Sequence, residues 1–310
     1  MKIIENLDSY SSTQKTFVTI GTFDGVHKGH QKVLKKLVAS AKKNNAKSVL
    51  LTFFPHPRMV LQEDVNIKLI NTLEERIELL KKTTIDVLVV QPFTKEFAKQ
   101  SALDFVRNLL VNKLNISKLV IGYDHHFGKN REGNFEQLEK FGHTYGFKVK
   151  RISVKDIDNI GVSSTKIRKA ILKGDISKAN RYLGHNFTLT GTVIKGKNLG
   201  EKIGFPTANL QVNEAYKLIP KTGAYIVKSN INNSSVYGMM NIGFRPTVSG
   251  KNQTIEIHFF NFNKSLYDEK ITVELLEFLR EEQKFESVNS LKKQLIADKA
   301  KSLKYIDAMY

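Results

Sequence analysis

Cysteine is absent from the 310-residue sequence, and no apolar stretch approaches the length of about 18 residues that a membrane-spanning helix needs. The first absence excludes disulfide bonds, zinc sites with cysteine ligands and a cysteine nucleophile. The N-terminal octapeptide carries Glu5 and Asp8 where a secretory signal peptide has its apolar core. We therefore expect a cytoplasmic protein that has no membrane among its partners.

The sequence is also short of acidic residues: 30 Asp and Glu accompany 49 Lys and Arg, so the formal net charge is +19. Such a charge is compatible with nucleic acid, anionic lipid or small phosphorylated ligands. The pairs Lys35-Lys36 and Lys292-Lys293 lie between apolar positions at helical spacing, which favours solvated helix faces over a nucleic-acid footprint. The charge alone assigns no function.

The first half of the chain alternates short apolar strands with amphipathic helical segments. In the first helical segment, the residues from His30 to Ala41 repeat at helical spacing. This alternation predicts parallel strands with right-handed crossovers, and therefore a doubly wound α/β domain. The predicted strands cover residues 17–23, 48–54, 86–93, 117–124 and 147–153, and the predicted helices cover residues 30–41, 73–82, 102–113 and 135–145.

After about Gly174 the pattern changes to extended segments separated by Gly, Pro, Asn and Ser turns, which predicts an antiparallel barrel or sandwich. A final helix is expected after Ser287, which would be its N-cap. At roughly 150 residues per domain, the length agrees with two domains. We expect the linker within residues 174–186, and hence domains at residues 1–184 and 185–310.

The strongest local signal is the segment from Gly21 to His30, which reads Gly-Thr-Phe-Asp-Gly-Val-His-Lys-Gly-His. Its glycines let a phosphate approach the backbone, and the helix that follows contributes free N–H donors and a positive dipole. His27 and His30 can stabilise charge on one phosphoryl group during an in-line displacement. The alternatives are core histidines or half of a zinc site, which would need a third ligand. The segment favours phosphate chemistry.

A second anion-binding pattern is the segment from Gly161 to Arg168, which reads Gly-Val-Ser-Ser-Thr-Lys-Ile-Arg. Hydroxyl groups precede a predicted helix whose first turn carries two cations, and this combination suits a polyphosphate. The segment alone would favour an ordinary helix N-cap. Its pairing with the histidine motif favours phosphate binding.

These two motifs together resemble the nucleotidylyltransferase superfamily. Residues 53–58 (Phe-Phe-Pro-His-Pro-Arg) and 122–128 (Gly-Tyr-Asp-His-His-Phe-Gly) are similar to the adenylyltransferase half of bacterial bifunctional riboflavin kinase/FAD synthetases. The resemblance implies that His27 and His30 are catalytic and that His56, Pro57 and Asp124 line the nucleotide and flavin pocket. It assigns no role to His125 and His126. The residues that it places at the ATP phosphates are Gly21, Phe23, Asp24, Gly29, Ser163, Ser164, Thr165 and Arg168.

The second half of the chain carries a glycine-rich segment, in which Gly196, Gly200 and Gly204 precede the sequence Phe-Pro-Thr-Ala-Asn at residues 205–209. In an extended chain Thr207 and Asn209 project to one side and offer two neutral oxygens to a hard cation such as Mg²⁺. A turn that contains Asn is the alternative, which this segment alone would favour.

Further along, the residues from Thr254 to Phe260 alternate, so that Glu256 and His258 share one strand face and the apolar residues share the other. On the inner face of a small barrel, Glu256 would be a candidate general base for activating an alcohol. On the outer face, the same pair would be ordinary solvated strand residues. The pattern alone favours neither alternative.

The segments of the second half together resemble the riboflavin kinase module. The resemblance implies that Thr207 and Asn209 bind Mg-ATP and that Glu256 deprotonates the ribityl hydroxyl of riboflavin. Through residues 241–247 and 279–285, which match further landmarks, it implies an ATP and flavin site formed by Gly196, Gly200, Gly204, Pro206, Asn241 and Arg280. Glu201 departs from the family, which commonly has Arg at that position.

The resemblance implies a bifunctional enzyme that phosphorylates riboflavin to FMN with ATP and adenylylates FMN to FAD with release of pyrophosphate. Its ligands would be Mg²⁺, flavins and nucleotides, without nucleic acid. The rival hypothesis is a nucleotidylyltransferase-like domain fused to a barrel that binds RNA or single-stranded DNA through Lys and Phe surfaces. Glu256 and the Pro-Thr-Ala-Asn segment argue against that rival.

Overall fold

The computed structural model describes residues 1–61, 67–122, 127–129, 132–151, 161–196, 199–247 and 250–309. The chain divides into two compact units, Met1–Ser163 and Ser164–Tyr310. None of the described helices is both long and apolar enough to cross a membrane.

The first unit contains a six-stranded parallel sheet in the order β1-β4-β3-β2-β5-β6. The chain adds β3 and β4 on one side of β2 and then β5 and β6 on the other side. The loop after β2 therefore lies at the switch point where such sheets bind ligands. The strands are β1 Lys2–Ile4, β2 Thr16–Ile20, β3 Lys47–Phe54, β4 Val87–Pro92, β5 Ile116–Ile121 and β6 Lys148–Arg151.

The described residues of this unit form several apolar clusters, as expected for a doubly wound sheet whose central strands are continuous apolar runs. One cluster joins Val18 and Leu119 to the π-helix that follows α4, another joins Leu50 and Leu88 to α1 and α3, and a smaller one joins Phe17 and Val120 to α1. The helices are α1 Lys28–Lys43, α2 Pro57–Leu61, α3 Leu73–Lys81, α4 Ala102–Asp104 with its π-helical continuation Phe105–Lys113, and α5 Phe135–Tyr145; short 3₁₀ helices cover Leu7–Ser9 and Phe97–Lys99.

The second unit is built on a closed antiparallel barrel in which the strands follow one another in the order β10-β11-β8-β7-β12-β9. A barrel, rather than a sandwich, is therefore formed, and the predicted fold class is confirmed. The strands are β7 Phe187–Ile194, β8 Ala208–Gln211, β9 Gly223–Ile231, β10 Ser234–Thr247, β11 Gly250–Phe259 and β12 Lys270–Arg280, and the helices are α6 Ser164–Leu172, α7 Ile176–Leu183, α8 Leu199–Lys202 and α9 Val288–Asp307.

The final helix, α9, packs on the outside of the barrel. Ile306 of α9 contacts a cluster that includes Ala224 and Met239, while the alternate residues Tyr225 and Met240 are buried on the opposite, inner face of the same strands. The predicted N-cap is confirmed, because the Ser287 hydroxyl accepts a hydrogen bond from the backbone N–H of Ser290 at 3.1 Å.

Among the differences from the sequence prediction, two concern the edge of the sheet and the domain boundary. Strand β1 was not predicted, and it pairs with β4 at the edge of the sheet. The residues predicted as the linker, 174–186, contain the helix α7, which packs on β7 and β12 of the barrel. Gly184, within the predicted linker, is the left-handed C-cap of α7 with φ 78°.

Candidate active sites

The loop between β2 and α1 has an unusual backbone. Phe23 and Val26 adopt positive φ values of 50° and 38°, which are rare for aromatic and β-branched residues. A backbone hydrogen bond from the N–H of Val26 to the carbonyl of Phe23, at 3.0 Å, closes a tight turn between them. Residues with strained backbone conformations are found preferentially at functional sites. This loop leads directly to the two histidines.

His27 and His30 are stacked, with ring centroids 3.7 Å apart and planes inclined by 15°. His27 is the N-cap of α1, and its Nδ1 accepts a hydrogen bond from the backbone N–H of His30 at 3.4 Å. Because that Nδ1 is an acceptor, the neutral ring carries its proton on Nε2. Gly29 is buried in the first turn of α1, between the two histidines. The pair therefore sits at the positive end of a 16-residue helix.

His30 is held neutral by its surroundings. Burial is the main cause that lowers the pKa of His30 well below its usual value, and the neighbouring His27 and the charge of Arg76 lower it further. Its ring packs against Phe23 with centroids 4.5 Å apart, and its buried Nδ1 has no hydrogen-bond partner among the described residues. A ligand could supply that partner.

Asp24, which was predicted at the ATP phosphates, faces the protein interior. Its carboxylate is 2% exposed and accepts hydrogen bonds from the backbone N–H groups of Ile70 and Asn71, each at 3.1 Å. These contacts join the β2–α1 loop to the loop before α3. They give Asp24 a role in positioning that loop, while its place at the ATP phosphates stays a prediction.

The remaining predicted residues of the first unit lie at the carboxyl edge of the sheet or outside the described residues. Gly21 directly follows β2, and His56 and Pro57 follow the neighbouring strand β3. The Nδ1 of His56 accepts a hydrogen bond from the backbone N–H of Arg58 at 3.2 Å. Asp124, His125 and His126 lie outside the described residues.

The hydroxyl-rich segment lies at the boundary between the units. Ser163 is the last residue of the first unit, and Ser164, Thr165 and Arg168 lie on α6, which belongs to the second. Their part in ATP binding remains a prediction.

In the barrel, the strand register aligns three predicted kinase residues. Glu256 on β11 is directly opposite Asn209 on β8 and directly opposite Asn241 on β10. Residues opposite each other in antiparallel strands point to the same face, with Cβ atoms about 5 Å apart. We call Asn209, Glu256 and Asn241 the polar row.

The polar row lies on the outer face of the barrel, but this is not the solvated strand face of that alternative, because His258 on the same face is buried. The neighbours of Glu256 along β11, Ile255 and Ile257, are buried opposite Ile242 and Met240 in the barrel interior. The row continues to Ala224 on β9, which belongs to the apolar cluster that contacts α9. Glu256 is half-buried there.

The Pro-Thr-Ala-Asn segment is fixed beside this row. The Nδ1 of His258 lies 2.9 Å from the carbonyl oxygen of Pro206, and because a carbonyl only accepts, Nδ1 carries the proton. His258 packs edge-on to Phe205 and Phe260, at 5.1 and 5.8 Å between centroids. Burial is the main cause that lowers the pKa of His258. His258 thus holds the residue that precedes Thr207, a role that the sequence analysis did not assign to it.

Two glycines of the preceding segment are required by close approach. A Cβ atom at Gly196 would collide with the side-chain amide of Asn209, and one at Gly200 would collide with the carbonyl of Phe205. Gly204 has φ 85° and closes the turn after α8. The glycines therefore allow the segment to pack against Asn209 and Phe205.

Arg280, which was predicted at the ATP and flavin site, makes contacts with α9. Its Nη2 and Nε lie 2.8 and 2.9 Å from Oδ2 of Asp298, which is 5% exposed, and its Nη1 donates to the carbonyl of Glu281 at 3.0 Å. Gln294 donates to the other oxygen of Asp298 at 2.8 Å. These contacts make Arg280 an anchor between β12 and α9.

The donor set of the barrel suits Mg²⁺. Thr207 and Asn209 are half-buried and offer neutral oxygens, and the carboxylate of Glu256 projects from the neighbouring strand. A hard cation that keeps part of its coordination sphere for phosphate oxygens needs few protein ligands. Within the described ranges, no three His, Asp or Glu side chains converge as a protein-only metal site.

Comparison with known proteins covers both units. A family model described as FAD synthetase matches residues 9–166, and one described as riboflavin kinase matches residues 183–306. The bifunctional riboflavin kinase/FMN adenylyltransferase of Buchnera aphidicola subsp. Schizaphis graminum is 40% identical over 303 residues, which are 96% of each chain. That of Listeria monocytogenes is 37% identical over 293 residues, which are 94% of this chain and 92% of the relative.

The fold is also found in a solved structure. A crystal structure described as a macrolide-efflux protein from Streptococcus pneumoniae matches with a TM-score of 0.85 and 30% identity, and the match covers 96% of this chain and 97% of that one. The two units of this chain therefore occur together in an experimentally determined protein.

Proposed function

Because the chain belongs to the bifunctional riboflavin kinase/FMN adenylyltransferase family, we propose that its two reactions take place at the two sites described above. The enzyme phosphorylates riboflavin to FMN with ATP and adenylylates FMN to FAD. In our proposal the polar row serves the first reaction and the histidine pair serves the second. We assign adenylyl transfer to residues 1–184 and the kinase reaction to residues 185–310, with α7 stabilising the barrel on which it packs.

For the kinase, the observation that carries the proposal is the alignment of Asn209, Glu256 and Asn241 on three neighbouring strands. Glu256 accepts the proton of the ribityl hydroxyl of riboflavin while the hydroxyl oxygen forms a bond to the γ-phosphorus of ATP. The bond between the γ-phosphorus and ADP breaks, and ADP leaves. Thr207 and Asn209 would hold Mg²⁺, which neutralises phosphate charge when bound. Asn241, which is opposite Glu256, would orient the flavin.

For adenylyl transfer, a phosphate oxygen of FMN attacks the α-phosphorus of ATP and pyrophosphate leaves. Nε2–H of His27 and the N-terminus of α1 offer hydrogen-bond donors to the charge that develops on the phosphoryl oxygens. His30 stacks on His27 and completes the pair. We include Ser163, Ser164, Thr165 and Arg168 in the ATP site as part of this proposal. Since both reactions consume ATP, we infer that the enzyme acts in the cytoplasm on small flavins and nucleotides.

The proposed function is tested by measuring FMN and FAD formation in a variant that lacks His27 and His30. The purified protein is incubated with riboflavin, ATP and Mg²⁺, and FMN and FAD are separated by chromatography. We expect the wild type to form both products, whereas a variant with H27A and H30A accumulates FMN and loses FAD, because one such donor is worth about 10²–10³ in kcat.

The matched control is H143A, since His143 is an exposed histidine on α5 of the same unit. This variant should form FAD at the wild-type rate. FAD formation by the H27A and H30A variant at wild-type kcat would contradict the assignment of the histidine pair.

A further inference from the structure

Helix α3 carries an arginine where its amphipathic pattern requires an apolar residue. Leu73, Ile77 and Leu80 pack into the core between α1, α3 and the sheet, and Arg76 shares their face of the helix. Arg76 is 3% exposed. A buried guanidinium is costly unless hydrogen bonds compensate it, so the partners of Arg76 indicate its role.

The guanidinium of Arg76 is directed at the loop between β2 and α1, which leads to the two histidines. Nη1 of Arg76 donates a hydrogen bond to the carbonyl of Thr22 at 2.5 Å, and the Thr52 hydroxyl donates to the same carbonyl at 3.3 Å. Thr22 immediately precedes Phe23, whose φ is 50°. Arg76 therefore fixes the chain at the entry to the strained turn.

A second set of contacts joins the loop between β2 and α1 to the segment just before α3. Asp24 accepts hydrogen bonds from the N–H groups of Ile70 and Asn71, just before α3 begins. We call Thr22, Asp24, Ile70, Asn71 and Arg76 the loop brace. It holds the residues on both sides of Phe23.

We propose that Arg76 is a positioning residue for adenylyl transfer, and that it acts on the histidine pair through the loop brace. This inference rests on the proposed function of that pair. Strained backbone of this kind persists only where the surroundings determine it. Because the ring of Phe23 packs on His30 at 4.5 Å, a displacement of Phe23 displaces the catalytic imidazole.

The charge of Arg76 gives the proposal an independent readout. Burial is the main cause of the lowered pKa of His30, and the neighbouring His27 and the charge of Arg76 lower it further. The carboxylate of the same loop is that of Asp24, which accepts a hydrogen bond from the N–H of Ile70. Loss of the positive charge at position 76 should therefore raise the pKa of His30 towards its usual value. A residue that only fills space would leave that pKa unchanged.

The experiment compares R76M and R76K with the wild type in the full chain. Formation of FAD from FMN and ATP gives kcat and both KM values, NMR titration gives the pKa of His30, and riboflavin phosphorylation serves as an internal control. We expect R76M to lower kcat for FAD formation roughly 100-fold, as a displacement of about 1 Å would, without a change in KM. R76K, which keeps the charge and one donor, should lie between R76M and the wild type and keep the low His30 pKa.

The control is R107M, which removes an exposed arginine paired with Asp104 on the same unit and should behave like the wild type. The proposal is overturned if folded R76M has wild-type kcat, or if KM for ATP rises while kcat is unchanged, since Arg76 would then bind substrate. If R76M does not fold, R76K decides: reduced kcat at wild-type KM supports the proposal, and wild-type kcat overturns it. A wild type that makes no FAD from FMN would instead contradict the proposed function.

Discussion

Glu256 and Asn209 face each other across β11 and β8, yet their proposed roles predict different kinetics. E256Q keeps the shape of the side chain but cannot accept the proton of the flavin hydroxyl, so kcat for FMN formation should fall about 10²–10⁴-fold with little change in KM for ATP. N209A removes a proposed Mg²⁺ ligand, so it should raise KM for Mg-ATP and lower kcat as well. Steady-state kinetics with varied ATP and Mg²⁺ separates the two patterns.

The matched control for these two variants is E269Q, which changes an exposed glutamate in the turn before β12. It should leave both parameters unchanged. If E256Q lost ATP affinity as severely as N209A, with both melting temperatures intact, Glu256 would belong to the metal site and not to proton transfer.

Single residues also show where sequence reasoning ends. Alternation correctly placed Glu256 and His258 on one face, but it has no means to say which face is inside the barrel, because that depends on Ala224 and α9. The resemblance implies that Asp24 and Arg280 lie at the ligands, which stays a prediction, but it does not name their partners within the protein, which are backbone N–H groups for Asp24 and Asp298 for Arg280. A motif gives the type of a residue and not its partner.

Among the elements, α9 is attached to the barrel by a buried ion pair as well as by apolar contacts. The side chains of Arg280 and Asp298 are 16% and 6% exposed. D298N leaves the guanidinium buried without its counter-charge, and we expect it to reduce the free energy of unfolding by about 3 kcal/mol. Hydrogen exchange of the α9 peptides at increasing urea concentrations measures the loss of unfolding free energy at α9 itself.

The exposed pair Lys221–Glu281, with side chains 37% and 60% exposed, provides the comparison. E281Q should cost less than about 1 kcal/mol, because solvent screens an exposed pair. Equal losses for D298N and E281Q would show that the Arg280–Asp298 pair behaves as a surface contact and does not anchor α9.

The elements that the sequence predicted are those with a strong internal pattern. Strands β2 to β5 contain apolar runs, and α5 was predicted at its observed bounds, Phe135–Tyr145. Strand β1, Lys2–Ile4, has only three residues and no apolar period, so its pairing with β4 is a tertiary event that local sequence does not encode.

At the level of the whole molecule, the position of α7 decides where the kinase can be separated from the rest. Ile176, Ala179 and Leu183 of α7 are fully buried. The Asn180 amide donates to the carbonyl of Leu275 and accepts from the N–H of Phe187, both at 2.8 Å. The change of pattern near Gly174 predicted a linker within residues 174–186, but that segment holds a helix that ends at the glycine C-cap Gly184.

We therefore expect a fragment of residues 164–310 to convert riboflavin to FMN without forming FAD, and a fragment of residues 185–310 to be much less stable. The shorter fragment exposes the surface that α7 covers, and each apolar side chain removed from that contact costs about 1.5–3 kcal/mol. It also leaves the Phe187 N–H and the Leu275 carbonyl without Asn180, which costs about 1–3 kcal/mol for each group that stays buried. Urea denaturation of the two fragments, together with FMN production, checks both expectations. If the two fragments were equally stable, α7 would belong to the linker, as the sequence pattern suggested. A folded 164–310 fragment that makes no FMN would contradict the placement of the kinase in the barrel.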